Sequence, residues 1–261
     1  MHQSKSSALE MERRSVSWAV LRPRGTLTRM NTVRGARERA RIEVTGAIKD
    51  EARRRLAAEG AAKLSLRAVA RELGMVSSAL YRYFPSRDDL LTALIIDAYG
   101  SLGAAAEEAD ARALAAGAPP RGRWIAVCES VRTWALQHPH EYALVYGSPV
   151  PGYSAPADTI GPASRVGNVL IGIVRAAYEG RGLALPPLPP ALGPEADRMT
   201  ADFAEGLPPA VVPALVAAWA QLAGLVSFEL FGQFQGVVEE RSAFFAHAAG
   251  QLAHGVGLPA V

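Results

Sequence analysis

Hydroxyl, phenol and guanidinium side chains are concentrated in one short stretch, GMVSSALYRYFPSRDDL, which runs from Gly74 to Leu90. Serine hydroxyls donate and accept hydrogen bonds, and tyrosine and arginine supply longer donors that reach phosphate oxygens and base edges. The short side chains of Ser77, Ser78 and Ala79 allow a partner to approach the backbone closely. These residue types indicate recognition of a polyanion.

Two helices are predicted before this stretch. Between Gly35 and about Glu59, apolar residues recur every fourth position beneath a strongly charged face, which is the pattern of an amphipathic helix. A second, short helix follows between Ser65, which is placed to cap its start, and Gly74, which lies just past its end. The apolar positions of the two helices are Val44, Ile48, Ala52 and Leu56, then Leu66, Val69, Ala70 and Leu73.

Two more helices are predicted within and after the stretch. Leu80 and Phe84 mark a third short helix, with both side chains in the core, and Pro85 ends it because proline has no N–H to donate. Ser86 is then placed to cap a fourth helix, whose first turn contains Asp88 and Asp89. Short second and third helices joined by a tight turn describe a helix-turn-helix.

The segment LSLRAVARELGMVSSALYRYFPSRDDLLTALI, from Leu64 to Ile95, resembles the DNA-binding domain of tetracycline-repressor-like (TetR/AcrR) transcriptional regulators. The resemblance extends over about residues 35–95 and includes the Leu-Ser pair that opens the second helix, Leu73-Gly74, Leu80-Tyr81 and Phe84. It implies binding to double-stranded DNA and a recognition helix in the major groove. The DNA-binding residues that it implies are Ser65, Arg67, Ser77, Ser78, Ala79, Tyr81, Arg82, Tyr83 and Arg87.

Three positions depart from the family pattern. Val76 stands where a capping serine is common, so we expect the cap to pass to Ser77 and the helix to start one residue later. Tyr83 replaces the more usual His and Arg87 the more usual Lys, and both keep a donor. For Arg82, reading of guanine and contact with phosphate remain open alternatives. Tyr81 and Tyr83 as packing residues, and Arg67 and Arg87 as plain surface charge, are the alternatives to DNA contact.

Charge is distributed unevenly along the 261-residue chain. The net charge is +5 over residues 1–34, +5 over 35–88 and −7 over 89–261, against +3 overall. This asymmetry is expected when one part of a chain binds a polyanion. A basic surface that is only solvated is the alternative explanation. We predict a disordered basic tail at 1–34, a helix-turn-helix domain at 35–88 and a helical domain at 89–261. Met30 is an alternative start of translation.

Residues 89–261 are predicted to form a helical effector-binding and dimerisation domain, so the fold class is all-α. The segments EYALVYGSPVPGYSAP and WAQLAGLVSFELFG resemble the C-terminal domain of one TetR subgroup, named for its Trp-x-Gly-type segment. The resemblance implies a homodimer on a palindromic operator, through helices at about 208–235 and 239–255. Leu215, Trp219, Leu222, Val226, Phe244 and Leu252 are the expected interface residues. A small hydrophobic effector is expected among Trp124, Trp134, Tyr142, Tyr146, Tyr153 and Phe228.

Other features of the sequence allow different interpretations. The uncharged run Val211 to Phe228 reaches the length of a membrane span, but Pro213, Gln221 and Ser227 interrupt it, which favours a helix buried on nearly all sides. His138, His140 and Glu141 are a weak candidate metal site with no second ligand cluster, so we expect no metal, no cofactor and no enzyme activity. Cys128 is the only cysteine, which favours a reducing cytoplasm. A corepressor or an activator of the same fold is the alternative to a ligand-released repressor.

Overall fold

The computed structural model describes residues 27–180 and 182–259, with side chains from Gly35 onward. Ten α-helices and three short 3₁₀ turns make up its regular structure, and no strand occurs among these described residues, which confirms the all-α prediction. The helices are α1 (Leu27–Glu59), α2 (Leu66–Glu72), α3 (Ser77–Leu80), α4 (Arg87–Ala115), α5 (Pro120–Gln137), α6 (Pro139–Tyr146), α7 (Ile160–Glu179), α8 (Gly193–Phe203), α9 (Val211–Leu230) and α10 (Arg241–Gly255).

The chain divides into two compact units between Val44 and Thr45. Of the first unit, the structure describes only the part of α1 that covers residues 27–44. α1 starts at Leu27, so its first turns lie within the segment 1–34 predicted as a tail, and the predicted domain bounds stay a prediction. The prediction for residues 1–26 lies outside the described residues. All contacts described below lie within the second unit.

The helix-turn-helix forms where the sequence predicts it. Gly74 adopts a positive φ of 64°, a conformation that costs glycine little, and turns the chain between α2 and α3. Ser65 lies at the N-cap of α2, but its side chain makes no capping hydrogen bond. Ser86 does cap α4, because its hydroxyl accepts a hydrogen bond from the backbone N–H of Asp89 at 3.1 Å.

The recognition helix α3 differs from the prediction at both ends. Val76, not Ser77, is its N-cap residue, and no side chain satisfies the first N–H groups, so the expected transfer of the cap to Ser77 is wrong. The α-helical geometry stops at Leu80, and Tyr81 to Tyr83 form a turn before Pro85. The N–H of Phe84 still bonds the Leu80 carbonyl at 3.1 Å, so the turn remains tightly wound.

The larger core lies beyond the helix-turn-helix. α4 packs against α5 and α7, α5 against α10, and α9 against α10. Its apolar side chains form one continuous cluster that begins at Ala98 on α4 and ends at Leu258. Among the largest fully buried side chains are Trp124, Tyr142, Ile173 and Leu222.

A buried ion pair joins α5 to α9. The Arg132 guanidinium donates to both Glu229 carboxylate oxygens at 2.6 Å, and only 5% of the Glu229 side chain is exposed. The hydrogen bonds that Arg132 donates to Glu229 raise the pKa of Arg132 above its ordinary value. The Arg132 guanidinium also lies 5.4 Å from the centre of the Phe245 ring on α10. Three core helices therefore meet at one charged group.

Two described helices, α4 and α9, are long and apolar enough to span a membrane by length and composition alone. The core helix of a soluble protein meets the same criteria, and α9 contributes Val212, Leu215 and Leu222 to the core cluster. The prediction that α9 is buried on nearly all sides depends on a second subunit that covers one of its faces, and it stays a prediction. Val216, Gln221 and Phe228 are exposed, because only one face of the helix packs on the core.

The ion pair generates a stability prediction. Glu229→Ala leaves the buried Arg132 charge without its partner and is expected to lower the free energy of unfolding by about 3 kcal/mol in urea titrations. The control is Glu108→Ala, since Glu108 pairs with Arg112 on the surface with 67% of each side chain exposed. That change is expected to cost less than about 1 kcal/mol. Equal losses in the two variants would show that the buried pair stabilises the fold no more than the surface pair does.

Candidate functional site

The predicted recognition surface is exposed to solvent. Ser77, Ser78, Tyr81 and Arg82 are all exposed on one side of α3 and its following turn, and Ala79 is half-buried. Tyr81 is 42% exposed, so its phenol group is accessible to a partner in solution. Val76 is 69% exposed and adds an apolar group to the same end of the helix. This surface therefore combines hydroxyl, phenol, guanidinium and methyl groups.

The core beneath α3 fixes the orientation of this surface. Leu80 is completely buried and Phe84 is 6% exposed, as predicted, so the opposite side of the helix faces solvent. α2 packs directly against α3, and its buried residues are Leu66, Val69 and Ala70. At the start of α2, Ser65 and Arg67 are exposed, whereas Tyr83 after α3 is half-buried. The structure therefore brings together most of the residues predicted to contact DNA.

Arg87 has a different environment from the other predicted DNA contacts. Its guanidinium donates to the backbone carbonyls of Ala61 at 2.9 Å, Leu64 at 3.2 Å and Ala62 at 3.4 Å. These carbonyls belong to the 3₁₀ turn Ala61–Lys63 and the residue after it, which lead from α1 into α2. Arg87 therefore ties the start of α4 to the start of the helix-turn-helix.

Ion pairs connect α1 with the helices of the larger core. Arg53 donates to the carboxylates of Asp97 on α4 at 2.7 Å and Glu141 on α6 at 3.0 Å. Lys49 also contacts Asp97, at 2.9 Å. The side chains of Arg53, Asp97 and Glu141 are each between 20% and 31% exposed, so solvent screens the pairs only in part. This network fixes the beginning of α6 relative to α1.

The aromatic residues predicted to bind an effector are distributed between the core and separate cavities. Trp124, Trp134 and Tyr142 are no more than 4% exposed and belong to the continuous core cluster. The Tyr142 hydroxyl already donates to the Ala223 carbonyl at 2.9 Å, and the Trp134 indole N–H donates to Ser101 at 2.9 Å. Trp134 also lines a cavity of about 560 Å³ between α4 and α5, and the assignment of these three residues to an effector site stays a prediction.

The other three predicted effector residues are separated from one another. Tyr146 packs edge-on against Tyr99 and Trp219, with ring centres 5.9 and 6.0 Å apart. Burial raises the pKa of its hydroxyl well above the ordinary value. Phe228 is 53% exposed on α9 and lies outside the core. Tyr153 lines a cleft of about 640 Å³ between α4, α6 and α7.

Sequence reasoning missed most of this cleft. Its walls include Ile95 and Tyr99 on α4, Val150 in the segment after α6, and Ile160 at the start of α7. The available signal was the run GSPVPGYSAP at 147–156, whose prolines and glycines interrupt the helices and leave a wall without regular structure. No aromatic cluster marks the site in the sequence.

The predicted dimer residues lie on two different sides of α9 and α10. Leu215, Leu222, Val226 and Leu252 are at most 7% exposed and pack in the core of their own subunit, so they offer little surface to a second copy, and their place in an interface stays a prediction. Trp219 is half-buried, and Phe244 is 38% exposed. The exposed apolar residues of this region are Val216 and Phe228 on α9, Phe231 just after it, and Phe244 on α10, of which only Phe244 is among the predicted interface residues.

The weak metal hypothesis finds no support in the geometry. Glu141 pairs with Arg53, and His138 stacks on Trp134 with ring centres 5.0 Å apart. Within residues 27–180 and 182–259, no group of three or more His, Cys, Asp or Glu side chains is placed to hold a metal ion. Burial raises the pKa of Cys128 to about 12, which keeps its thiol protonated and unreactive.

Comparisons with known proteins agree with this architecture. A family model of bacterial regulatory proteins of the tetR family matches residues 48–94, and a model of the tetracyclin repressor-like C-terminal domain matches residues 124–252. The HTH-type transcriptional regulator Rv1816 of Mycobacterium tuberculosis is 39% identical over 207 residues, which cover 77% of this chain and 86% of that protein. HTH-type transcriptional regulator Mb1846 of Mycobacterium bovis matches to the same extent.

Solved structures give the same result. The crystal structure of the regulatory protein SCO4313 is 34% identical, with a TM-score of 0.69, and the match covers 83% of this chain and 98% of that one. The TetR-family transcriptional regulator PfmR from Thermus thermophilus shares the fold at 19% identity, with a TM-score of 0.53, over 82% of this chain and 99% of that one.

The exposed guanidinium of Arg82 generates the prediction for this surface. Arg82→Ala is expected to weaken DNA binding, which can be measured by fluorescence anisotropy with a labelled promoter fragment over a range of salt concentrations. Loss of a phosphate contact lowers the affinity for all sequences and reduces the salt slope by about 1. Loss of a base contact relaxes specificity at one position by about 1–3 kcal/mol. Arg112→Ala, which removes an exposed arginine far along α4, is the control, and equal affinities would contradict the assignment.

Proposed function

Because this chain belongs to the TetR family of transcriptional regulators, we propose that it acts as a homodimeric repressor that binds a palindromic operator and is released by a small hydrophobic ligand. The observation that supports the DNA-binding step best is the common exposure of Ser77, Ser78, Tyr81 and Arg82 on one side of α3. The same proposal places the protein in the bacterial cytoplasm at its operator, with no metal and no cofactor.

The assignment of DNA contacts follows from position and exposure. Ser77, Ser78 and Ala79 at the start of α3 face the bases in the major groove, while Tyr81, Arg82 and Tyr83 lie beside them. Ser65 and Arg67 contact the DNA backbone from the start of α2. For Arg87 we propose an indirect role, because its donors already bond the carbonyls of residues 61, 62 and 64.

The exposed side of α9 and α10 supports a homodimer. Phe228, Phe234 and Phe244 form a row of edge-on aromatic contacts, with successive ring centres 5.8 and 5.5 Å apart. Phe231 and Val237 beside this row are 47% and 75% exposed. Exposed apolar patches of this kind are typical of protein interfaces. A second copy that packs its own α9 and α10 here shields both rows and sets the two recognition helices at a fixed spacing.

The operator step can be tested directly. The protein is expected to bind a fragment of its own promoter at ~10⁻⁸ M or tighter in near-physiological salt. Footprinting is expected to reveal two half-sites about one DNA turn, or a multiple of it, apart. Equal affinity for random DNA of the same length would contradict specific repression.

The dimer generates a separate prediction. Phe244→Arg places a charge within the proposed interface and is expected to give monomers in light-scattering measurements and to weaken operator binding more than tenfold, because one recognition helix is then lost per binding event. Leu114→Arg is the matched control, since Leu114 is 56% exposed at the far end of α4. A Phe244→Arg variant that remains dimeric would show that the interface lies elsewhere.

A further inference from the structure

The first compact unit of the chain, residues 1–44, carries all of the excess positive charge of the protein. It contains ten Lys and Arg and four Asp and Glu residues, a net charge of +6, whereas residues 45–261 have a net charge of −3. Within this unit, the structure describes α1 from Leu27 and its side chains from Gly35. The family model of the DNA-binding domain begins only at residue 48, so the recognition surface on α3 does not account for this charge.

The part of α1 that lies in this unit is exposed on every side. All of the residues from Ala36 to Glu43 are exposed, and together they make more than two turns of the helix. Ile42 is the one large apolar side chain among them, and it is 62% exposed. Burial of an apolar side, which stabilises most helices in proteins, therefore does not stabilise these turns. Their whole circumference is available to a partner.

Three arginines occupy alternate positions in these turns, at Arg37, Arg39 and Arg41. Arg37 and Arg41 lie about one turn apart on one side of the helix, and like charges at this spacing repel each other. Arg39 lies about 200° further round the helix. Glu38 and Glu43 offset part of the charge, but within residues 35–44 neither forms an ion pair with Arg37 or Arg39. A partner with closely spaced negative charges would therefore stabilise the helix.

We propose that this part of α1 is a second DNA-binding surface, on which Arg37, Arg39 and Arg41 contact backbone phosphates outside the bases that α3 reads. Base edges lie at the floor of a groove, where only one side of a helix reaches them, whereas phosphates border the groove on both sides. Arginines on two sides of a helix therefore suit phosphates better than bases. The inference rests on the DNA-binding step of the proposed function and is independent of the homodimer and the ligand.

DNA suits this surface better than an anionic membrane does. A helix that lies on a membrane buries one apolar side, and residues 36–43 distribute alanine, arginine, glutamate and a single isoleucine around the helix. Double-stranded DNA presents one negative charge per about 1.7 Å of its axis and requires only cations from the protein. The three arginines also follow Met30, so they are present whichever start of translation is used.

The surface is tested with a triple variant, Arg37→Gln, Arg39→Gln and Arg41→Gln, in the full chain. Glutamine removes the charge and keeps a high helix propensity. Fluorescence anisotropy measures binding to a promoter fragment and to random DNA of the same length over a range of salt concentrations. We expect the affinity for both DNAs to fall by a similar factor, at least about tenfold at low salt, and the salt slope to decrease by about 2–3.

The matched control removes the same charge from the larger domain, through Arg112→Gln on α4, Arg175→Gln on α7 and Arg198→Gln on α8. It is expected to leave both affinities and the salt slope unchanged, and circular dichroism melts check that both triple variants fold. An unchanged affinity in the first variant, or an equal loss in the control, overturns the proposal. A loss confined to the promoter fragment would show that these arginines read bases, which overturns the assignment to phosphates.

Two further measurements separate the alternatives. Hydroxyl-radical footprinting is expected to show sugars that the wild type protects and the first variant leaves exposed, and identical footprints overturn the proposal. Binding to phosphatidylglycerol vesicles that the three substitutions weaken, with DNA binding unchanged, would assign the surface to a membrane instead. Specific operator binding that the substitutions leave intact contradicts only this inference. Equal wild-type affinity for promoter and random DNA, with a loss on both in the variant, contradicts only the proposed repressor.

Discussion

Continuous burial along α4 is the constraint on which the rest of the second unit depends. In its first turns, Leu90, Leu91 and Leu94 are almost fully buried outside the large core cluster, which starts on the same helix at Ala98. The helix then packs against α5 and α7. Because one helix without a break supplies apolar residues to both regions, the DNA-binding helices cannot be repositioned without a movement of α4 or a local change next to it.

The elements that the sequence predicts well are those governed by local chemistry. Proline at 85 and serine at 86 each act through their own backbone neighbourhood, so the end of the α3 region and the start of α4 follow from residue type alone. The buried pair Leu80 and Phe84 is equally local, since its spacing specifies one side of a short helix. The recognition surface is then the opposite side of that helix.

Packing between residues that are distant in the sequence explains why the environments of the predicted interface and effector residues could not be derived from the sequence. α9 is apolar on nearly all sides, so its sequence contains little information about which face meets the core, and Leu222, an expected interface residue, packs within its own subunit. Aromatic residues such as Trp124 serve a core and a pocket equally well, and only the three-dimensional neighbours decide between them. The cleft arises where α4, α7 and an irregular segment come together, which no sequence window contains. Arg87 likewise bonds a turn more than twenty positions earlier in the chain.

The unbroken length of α4 has a geometrical consequence. A helix of 29 residues is about 43 Å long, so a rigid tilt of about 5° at one end moves the other end by roughly 4 Å. That displacement is comparable with the separation of neighbouring base pairs along DNA. Arg87 is the first residue of α4, at the end that such a tilt would displace, and it is hydrogen-bonded to backbone carbonyls before α2. The tilt of α4 in the larger core therefore determines how accurately the recognition surface is positioned in the DNA groove.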